Sequence, residues 1–485
     1  MPALTSLGIG SGVDLNTMLT QLVALERKPL EQMRSEASKL QSKVSSFGQI
    51  QSLVSRIQDA ANKLKGTAGT GLWSQSVAKS ANEQVVTAVG GSSAAAGSYA
   101  ISVTSLAAAQ TASSATPFVD ASALVGAGTL TLDIGAWDAG RTAFTPKTGT
   151  AAVTIAVTAT DTVTTLRDKI NGLGAGVTAS VVTDVNGTRL ALRSTVTGAT
   201  NGFRLTAADD DGNNTDGAGL SRIAYDPPGG TTGMLFGQAG ANAVANVNGV
   251  TVDSATNELS GVIEGLTLRL RGQSATPVDV DVSPDREAIT EAVTGLATAY
   301  SDLARFIGEQ TKYDAASKVG GILQGDSAVG NVLGRLRSVL NNTSGASAAF
   351  ARLSDIGLEL QRDGTLSVDG AKLDKALGNL DAMKKAFTNS DALVPANEGF
   401  ARRFATLTTE LLAVDGSLTT RSEGLRKLIT QNSEKQSRLE DRVERFQARL
   451  TQQFTAMDSN LARLNALNSY VTQQLAAMTS SSNSG

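Results

Sequence analysis

Both ends of the chain carry an apolar stripe at helical spacing, and each stripe is longer than a compact bundle needs. From Leu15 the apolar residues recur at Leu19, Leu22, Leu30, Met33, Ala37, Leu40, Val44, Phe47, Ile50, Val54, Ile57, Ala61 and Leu64, mostly three or four apart. Near the other end they fall at Leu439, Val443, Phe446, Leu450, Phe454, Met457, Leu461, Leu464, Leu467, Val471, Leu475 and Met478. The mean step in this second stripe is about 3.5 residues, between the periods of straight and supercoiled helices. At about 1.5 Å per residue each helix is on the order of 75 Å long. A stripe of that length must be covered, either by the other terminus of the same chain or by a neighbouring subunit. The two termini are therefore expected side by side, with everything between them carried as an insertion at one end.

Composition narrows the chemistry. The chain has 485 residues, enough for about three ordinary domains. It contains no Cys and no His. Zinc sites, Cys–His and Ser–His–Asp machinery and imidazole acid–base catalysis are thereby excluded. A cytosolic protein can lack Cys by chance; a protein that crosses a membrane unfolded gains from having no disulfide. Composition does not separate these two. The net charge of −3 gives no general electrostatic case for nucleic acid or an anionic membrane. No apolar run reaches the roughly 18 residues of a transmembrane helix, and Met1 to Ser6 have neither the basic nor the apolar part of a secretory signal.

Taken in order, Gly8, Gly10 and Gly12 read as a flexible lead-in, because Val13 stands where a dinucleotide-binding fingerprint needs its third Gly. Asp14 is placed to cap the first helix. Pro29 predicts a kink or short break. Gly66, Gly69 and Gly71 end the second helical segment. From Val77 the period changes to two, with Val85 and Val89 in one strand and Tyr99, Ile101 and Val103 in another. Residues 106–128 read as a linker. Leu130, Leu132 and Ile134, then Val153, Ile155 and Val157, begin a second β-region, and Asp161 is placed to cap a short helix carrying Leu166 and Ile170. Asn186-Gly187 predicts a two-residue hairpin with Asp184 opposite Arg189 and Thr183 opposite Leu190. The acidic run Asp209 to Asp216 lacks the ligand spacing of an EF-hand and reads as a solvated turn. Asn248-Gly249 predicts another hairpin, and Leu266, Leu268, Leu270 and Val278, Val280, Val282 two more strands. Residues 116–238 thus look inserted within a smaller β-domain made of two separated pieces.

Helix returns at Ser283-Pro284-Asp285, read as a cap, a first-turn proline and a first-turn acid. The stripe Ile289, Val293, Leu296, Tyr300, Leu303, Ile307 follows, then Val329, Leu333, Leu336, Leu340, a small hairpin from Ile356 to Val368, and helices at about 370–388 and 396–413. The fold class is multidomain α+β: long paired terminal helices, coiled-coil-like, and a helical domain carrying two nested β-rich domains. The divisions are 1–41 with 431–485, 42–76 with 284–430, 77–115 with 239–283, and 116–238.

Several of these segments resemble one family. Ser6-Leu-Gly-Ile-Gly-Ser-Gly-Val-Asp14 with Leu22-Val-Ala-Leu-Glu-Arg-Lys-Pro-Leu30 resembles the start of the bacterial flagellar filament cap proteins, the hook-associated protein 2 family. Asp161 to Asn171, continuing through Asn186-Gly187 to Asn201-Gly202-Phe203, is similar to a repeat shared by flagellins and hook-associated proteins. Asn246 to Val250, Gly265 to Leu268, Asp355 to Leu358 and Asp363 to Leu366 are similar to the cap proteins' C-terminal region. Flagellins do not begin with the Gly-rich opening or the Glu26-Arg-Lys-Pro29 step.

The resemblance implies a secreted, non-enzymatic protein at the extracellular tip of the flagellar filament. It implies export through the flagellar type III apparatus and assembly as a plate with legs that helps flagellin fold and insert, and so supports motility. The implied partners are other copies of the chain, four to six in all, flagellin, the hook-associated junction proteins and an export chaperone. No cofactor, metal, nucleic acid or membrane insertion is implied. The interface candidates on the terminal stripes are Leu19, Leu22, Leu40, Phe47, Leu450, Phe454, Leu461 and Leu464; the alternative for each is packing within the protein's own helices. The segments before Pro29 and after about Val471 are expected to fold on assembly. A second reading is adhesion, with Trp137, Tyr225 and the Asp209–Asp216 loop as contacts to surface glycans. A paired-carboxylate hydrolase is the one enzyme class the composition leaves open.

Overall fold

The computed structural model describes residues 14–66, 71–230, 233–316 and 318–481. The glycines read as a lead-in, Gly8, Gly10 and Gly12, lie outside the described residues. The chain is multidomain α+β and divides into two compact units, Met1–Gly66 with Glu287–Gly485, and Thr67–Arg286.

The first unit is helical. Helix α1 spans Leu15–Lys65, with the Asp14 carboxylate accepting from the Thr17 N–H as expected, and ends at Gly66, whose φ of 65° suits a residue without a side chain. Its inner half buries Phe47, Ile50, Val54, Ile57, Ala61 and Leu64. The expected break at Pro29 does not occur, and α1 runs through it. Pro29 removes one backbone hydrogen bond, but Glu26, Leu30 and Arg34 on either side pack or pair with the C-terminal helix, and the helix continues through it.

Helix α2, Val163–Leu173, belongs to the second unit. The first continues with α3 (Arg286–Thr311), α4 (Ser327–Asn341), α5 (Leu353–Ile356), α6 (Gly370–Leu377), α7 (Leu380–Thr388), α8 (Phe400–Leu412) and α9 (Ser417–Ser481). The α3 stripe is buried as expected. The Ser-Pro-Asp start is not its cap: the preceding strand runs on to Pro284, held by pairing of Ser283 and Pro284 with Val77 and Ser76. In α4, Val332 rather than Leu333 faces inward. The helix expected over 370–388 is divided at Gly378-Asn379, where Asn379 caps α7. Asp326 caps α4 and also accepts from Nε and the guanidinium of Arg421, at 3.0 and 2.8 Å, tying α4 to the start of α9.

The second unit is β-rich. A five-stranded antiparallel sheet has the order Ser76–Ser80, Ser274–Pro284, Gly97–Ser105, Ala243–Val247, Val250–Ser254. With a three-stranded sheet of Glu258–Ile263, Leu266–Leu270 and Val86–Gly90 it shares a core around Val86, Ile101, Leu259, Leu268 and Val280. Strands from before and after the middle of the chain therefore pair directly, with Ile101 opposite both Val247 and Val278. Asn248 and Gly249 form the expected turn with φ of 49° and 88°.

The intervening residues build two four-stranded sheets around Phe118, Leu130, Leu132, Ile155, Leu190, Phe203 and Leu205, with Val163, Leu166 and Ile170 of α2 in the same core. The linker expected over 106–128 contains a strand, Thr111–Ser114, seated between Met234–Gln238 and Gly187–Ser194. Its Ala- and Ser-rich sequence hides the pattern because small side chains suffice there.

Candidate functional site: the paired terminal helices

Helices α1 and α9 run antiparallel. Val23, Leu30, Leu439 and Val443 form a buried cluster with Leu19 and Met33 packed against it. Arg34–Glu440 at 2.7 Å and Glu26–Arg442 at 2.6 Å flank it. The side chains of these pairs are largely solvated, so they set register more than they stabilise. Asn432 is buried in the seam, where Gln436 Nε2 donates to its Oδ1. A buried amide between the two helices disfavours slipped pairings.

The structure sorts the expected interface residues into three groups. Phe47 has no exposed surface and lies in the core of the helical unit, which fits the alternative of packing within the protein's own helices. Leu19, Leu40, Leu450, Phe454 and Leu461 are half-buried. Leu22 and Leu464 are exposed, at 39% and 59%.

Exposure adds Met18, Leu25 and Tyr470 to the apolar residues read from the sequence. On α1 the inward row is Leu15, Val23 and Leu30, with Leu19 half-buried beside them, while Met18, Leu22 and Leu25 form a second apolar row open to solvent. Their spacing of four and three was the available signal, masked because the two rows interleave. On α9, Met457, Leu464, Leu467, Tyr470, Val471 and Leu475 are all exposed. No described helix is long and apolar enough to cross a membrane.

The contacts suggested for adhesion fare differently. Tyr225 is 3% exposed and packs edge-on to Trp137 at 5.6 Å, so it is a core residue. Trp137 is half-buried and donates Nε1–H to the Phe203 carbonyl. In the acidic loop, Asp209 accepts from the Ser221 N–H, and Asp216 from the Ala218 N–H and the Ser221 hydroxyl, which lowers the Asp216 carboxyl's pKa. Among the described residues no group of three or more acidic side chains is arranged to hold a metal ion.

Comparison with known proteins agrees along the length of the chain. Residues 11–110 match the model of the flagellar hook-associated protein 2 N-terminus, and residues 240–466 that of its C-terminus. Between them residues 143–196 match the flagellin hook IN motif. The A-type flagellar hook-associated protein 2 of Pseudomonas aeruginosa is 30% identical over 500 residues, covering 97% of each chain. The Escherichia coli flagellar hook-associated protein 2 is 29% identical, covering 98% of each. The crystal structure of the flagellar cap protein FliD from Escherichia coli superposes with a TM-score of 0.60 at 27% identity, over 79% of this chain and 99% of that one. With its terminal helices paired around a seam that leaves further apolar rows open, the chain belongs to the flagellar hook-associated protein 2 family, the cap proteins of the bacterial flagellum.

Proposed function

We propose that the chain assembles with three to five further copies into a cap at the extracellular filament tip, where it helps exported flagellin fold and insert and so sustains filament growth and motility. The β-rich unit supplies the plate and the helical unit the legs, within the four divisions set out above. The chain reaches the tip through the flagellar export apparatus with a chaperone and meets the hook-associated junction proteins before flagellin.

The observation that carries this reading is the open apolar face of the terminal helices. Leu464, Leu467, Val471 and Leu475 lie on α9 beyond the buried seam, and Met18, Leu22 and Leu25 lie on the outer side of α1. Such rows suit a helix-in-groove partner read at three- and four-residue spacing. The seam is also short of apolar burial. Its four buried side chains contribute about 1.5–3 kcal/mol each. Ordering the outer segments costs about 1–2 kcal/mol per residue in backbone entropy before local hydrogen bonding is counted. The termini therefore gain stability by assembling, which suits a cap that must shift with each added subunit.

Replacing Leu19 and Leu464 together by Asp tests this. Filament growth in the cell should stop while the purified protein stays soluble with its β-rich unit folded by circular dichroism. Filaments of normal length would sink the reading.

A further inference from the structure

The inserted β-sheets hold a cleft of about 300 Å³ that assembly through the terminal helices does not use. Trp137, Asp138 and Arg141 line it from the hairpin Gly128–Trp137 to Phe144–Pro146, and Phe236 from the strand Met234–Gln238. Arg141 sits in the turn of that hairpin with φ of 57°, a left-handed conformation that a residue with a side chain adopts at a cost. Its guanidinium lies 4.0 Å from the centroid of the Phe236 ring.

The polar groups around it are already engaged. The Asp138 carboxylate accepts from the Thr142 N–H, the Thr142 hydroxyl and the Ala143 N–H. The Gln110 amide donates to the Phe203 carbonyl and accepts from the Phe203 N–H, and Trp137 Nε1 donates to the same carbonyl. Among the described residues no carboxylate forms an ion pair with Arg141. The Tyr225 hydroxyl, whose ring packs against Trp137, is buried beside the Arg141 side chain. Burial raises its pKa, and a hydrogen bond with the Arg141 side chain, together with its charge, offsets part of the rise.

A cation held on an aromatic face with no carboxylate paired to it, beside apolar ring walls, matches a carboxylate carried on a flat apolar body. The volume is at the lower end of small-molecule sites. We propose that this cleft binds a small organic carboxylate, with its apolar body against Trp137 and Phe236 and its carboxylate on the Arg141 guanidinium. The inference stands apart from the assembly of the cap and does not depend on it.

Calorimetric titration of the full-length protein with sodium benzoate, benzamide and sodium acetate at equal ionic strength tests it. Benzoate should bind saturably, one per chain. Benzamide, which keeps the ring and lacks the charge, and acetate, which keeps the charge and lacks the ring, should each bind at least tenfold more weakly. Arg141→Met should cost benzoate at least tenfold in affinity. Arg141→Lys keeps a cation over Phe236 and removes the guanidinium, and should cost several-fold. Absence of saturable benzoate binding, equal affinity for benzamide, or unchanged benzoate affinity in either variant would overturn the proposal.

Discussion

Asp161 shows how far a single residue can be read from sequence. It was expected to cap α2, but Thr162 is the cap, accepting from the Thr165 N–H. Asp161 lies one step back, nearly buried, and accepts from the Thr158 N–H and hydroxyl, the Thr165 hydroxyl and the Lys169 ammonium. Burial alone would raise its pKa, but Lys169 and these donors hold the carboxyl far below the usual range. Because the folded pKa lies below the unfolded one, the stabilisation is complete above the unfolded value of about 4 and is lost as pH falls through the folded value. Asp161→Asn should therefore cost about 2 kcal/mol at pH 7, with a smaller penalty toward pH 3. Both tryptophans, Trp73 and Trp137, lie in the β-rich unit, so urea unfolding followed by tryptophan fluorescence reads this directly. An equal penalty at both pH values would show that the charge is irrelevant. Asp14 was legible because a cap is a contact three residues long; Asp161 was not, because its partners Thr158 and Lys169 meet it only once the helix has docked.

At the scale of elements, stripe spacing located the long helices and alternation the strands with large apolar residues, but Thr111–Ser114, Gly202–Asp209, Met234–Gln238 and Glu258–Ile263 were not located, and ends and registers depended on neighbours. The Asn248-Gly249 hairpin has the expected turn. The other hairpin is displaced: Asp184 pairs with Gly187, Thr183 with Thr188 and Val182 with Arg189. Arg189 then reaches the Ser114 and Ala115 carbonyls instead of Asp184. The cause is Phe118, which exchanges backbone hydrogen bonds with Thr188 and comes so close that a Cβ on Gly187 would lie 2.4 Å from its carbonyl oxygen. No local signal announces a segment about seventy residues upstream. Pro29 teaches a related lesson in a helix: its local penalty and the pairing of the termini were both legible, but not that the helix would continue through the proline. Pro29→Ala restores a backbone donor and removes the ring's clash with the preceding turn, so it should stabilise the outer part of α1 by about 1–3 kcal/mol. A higher melting midpoint of the helical circular dichroism signal is expected. A lower one would mean that the proline sets a bend the seam requires.

For the whole molecule, the question is which surface joins one copy to the next. Cutting the chain to residues 42–430 removes both sides of the seam together, since Val23, Leu30, Leu439 and Val443 all lie outside the cut. It keeps the core residues Phe47 to Leu64 of α1, α8 against them, and the Asp326–Arg421 tie. The trimmed protein should therefore fold, with its sheets and inner helices intact. If the open apolar rows of α1 and α9 join the subunits, native mass spectrometry should find a discrete oligomer for the full chain and a monomer after trimming. Leu464→Asp in the full chain should shift the same equilibrium, because Leu464 is 59% exposed and contributes nothing to the buried seam. An oligomer that survives trimming would move the subunit contact to the β-rich unit or inner helices and leave the terminal rows to flagellin. The two outcomes make opposite demands on Leu464: in the first its substitution breaks the purified oligomer, and in the second it leaves that oligomer whole while still stopping filament growth.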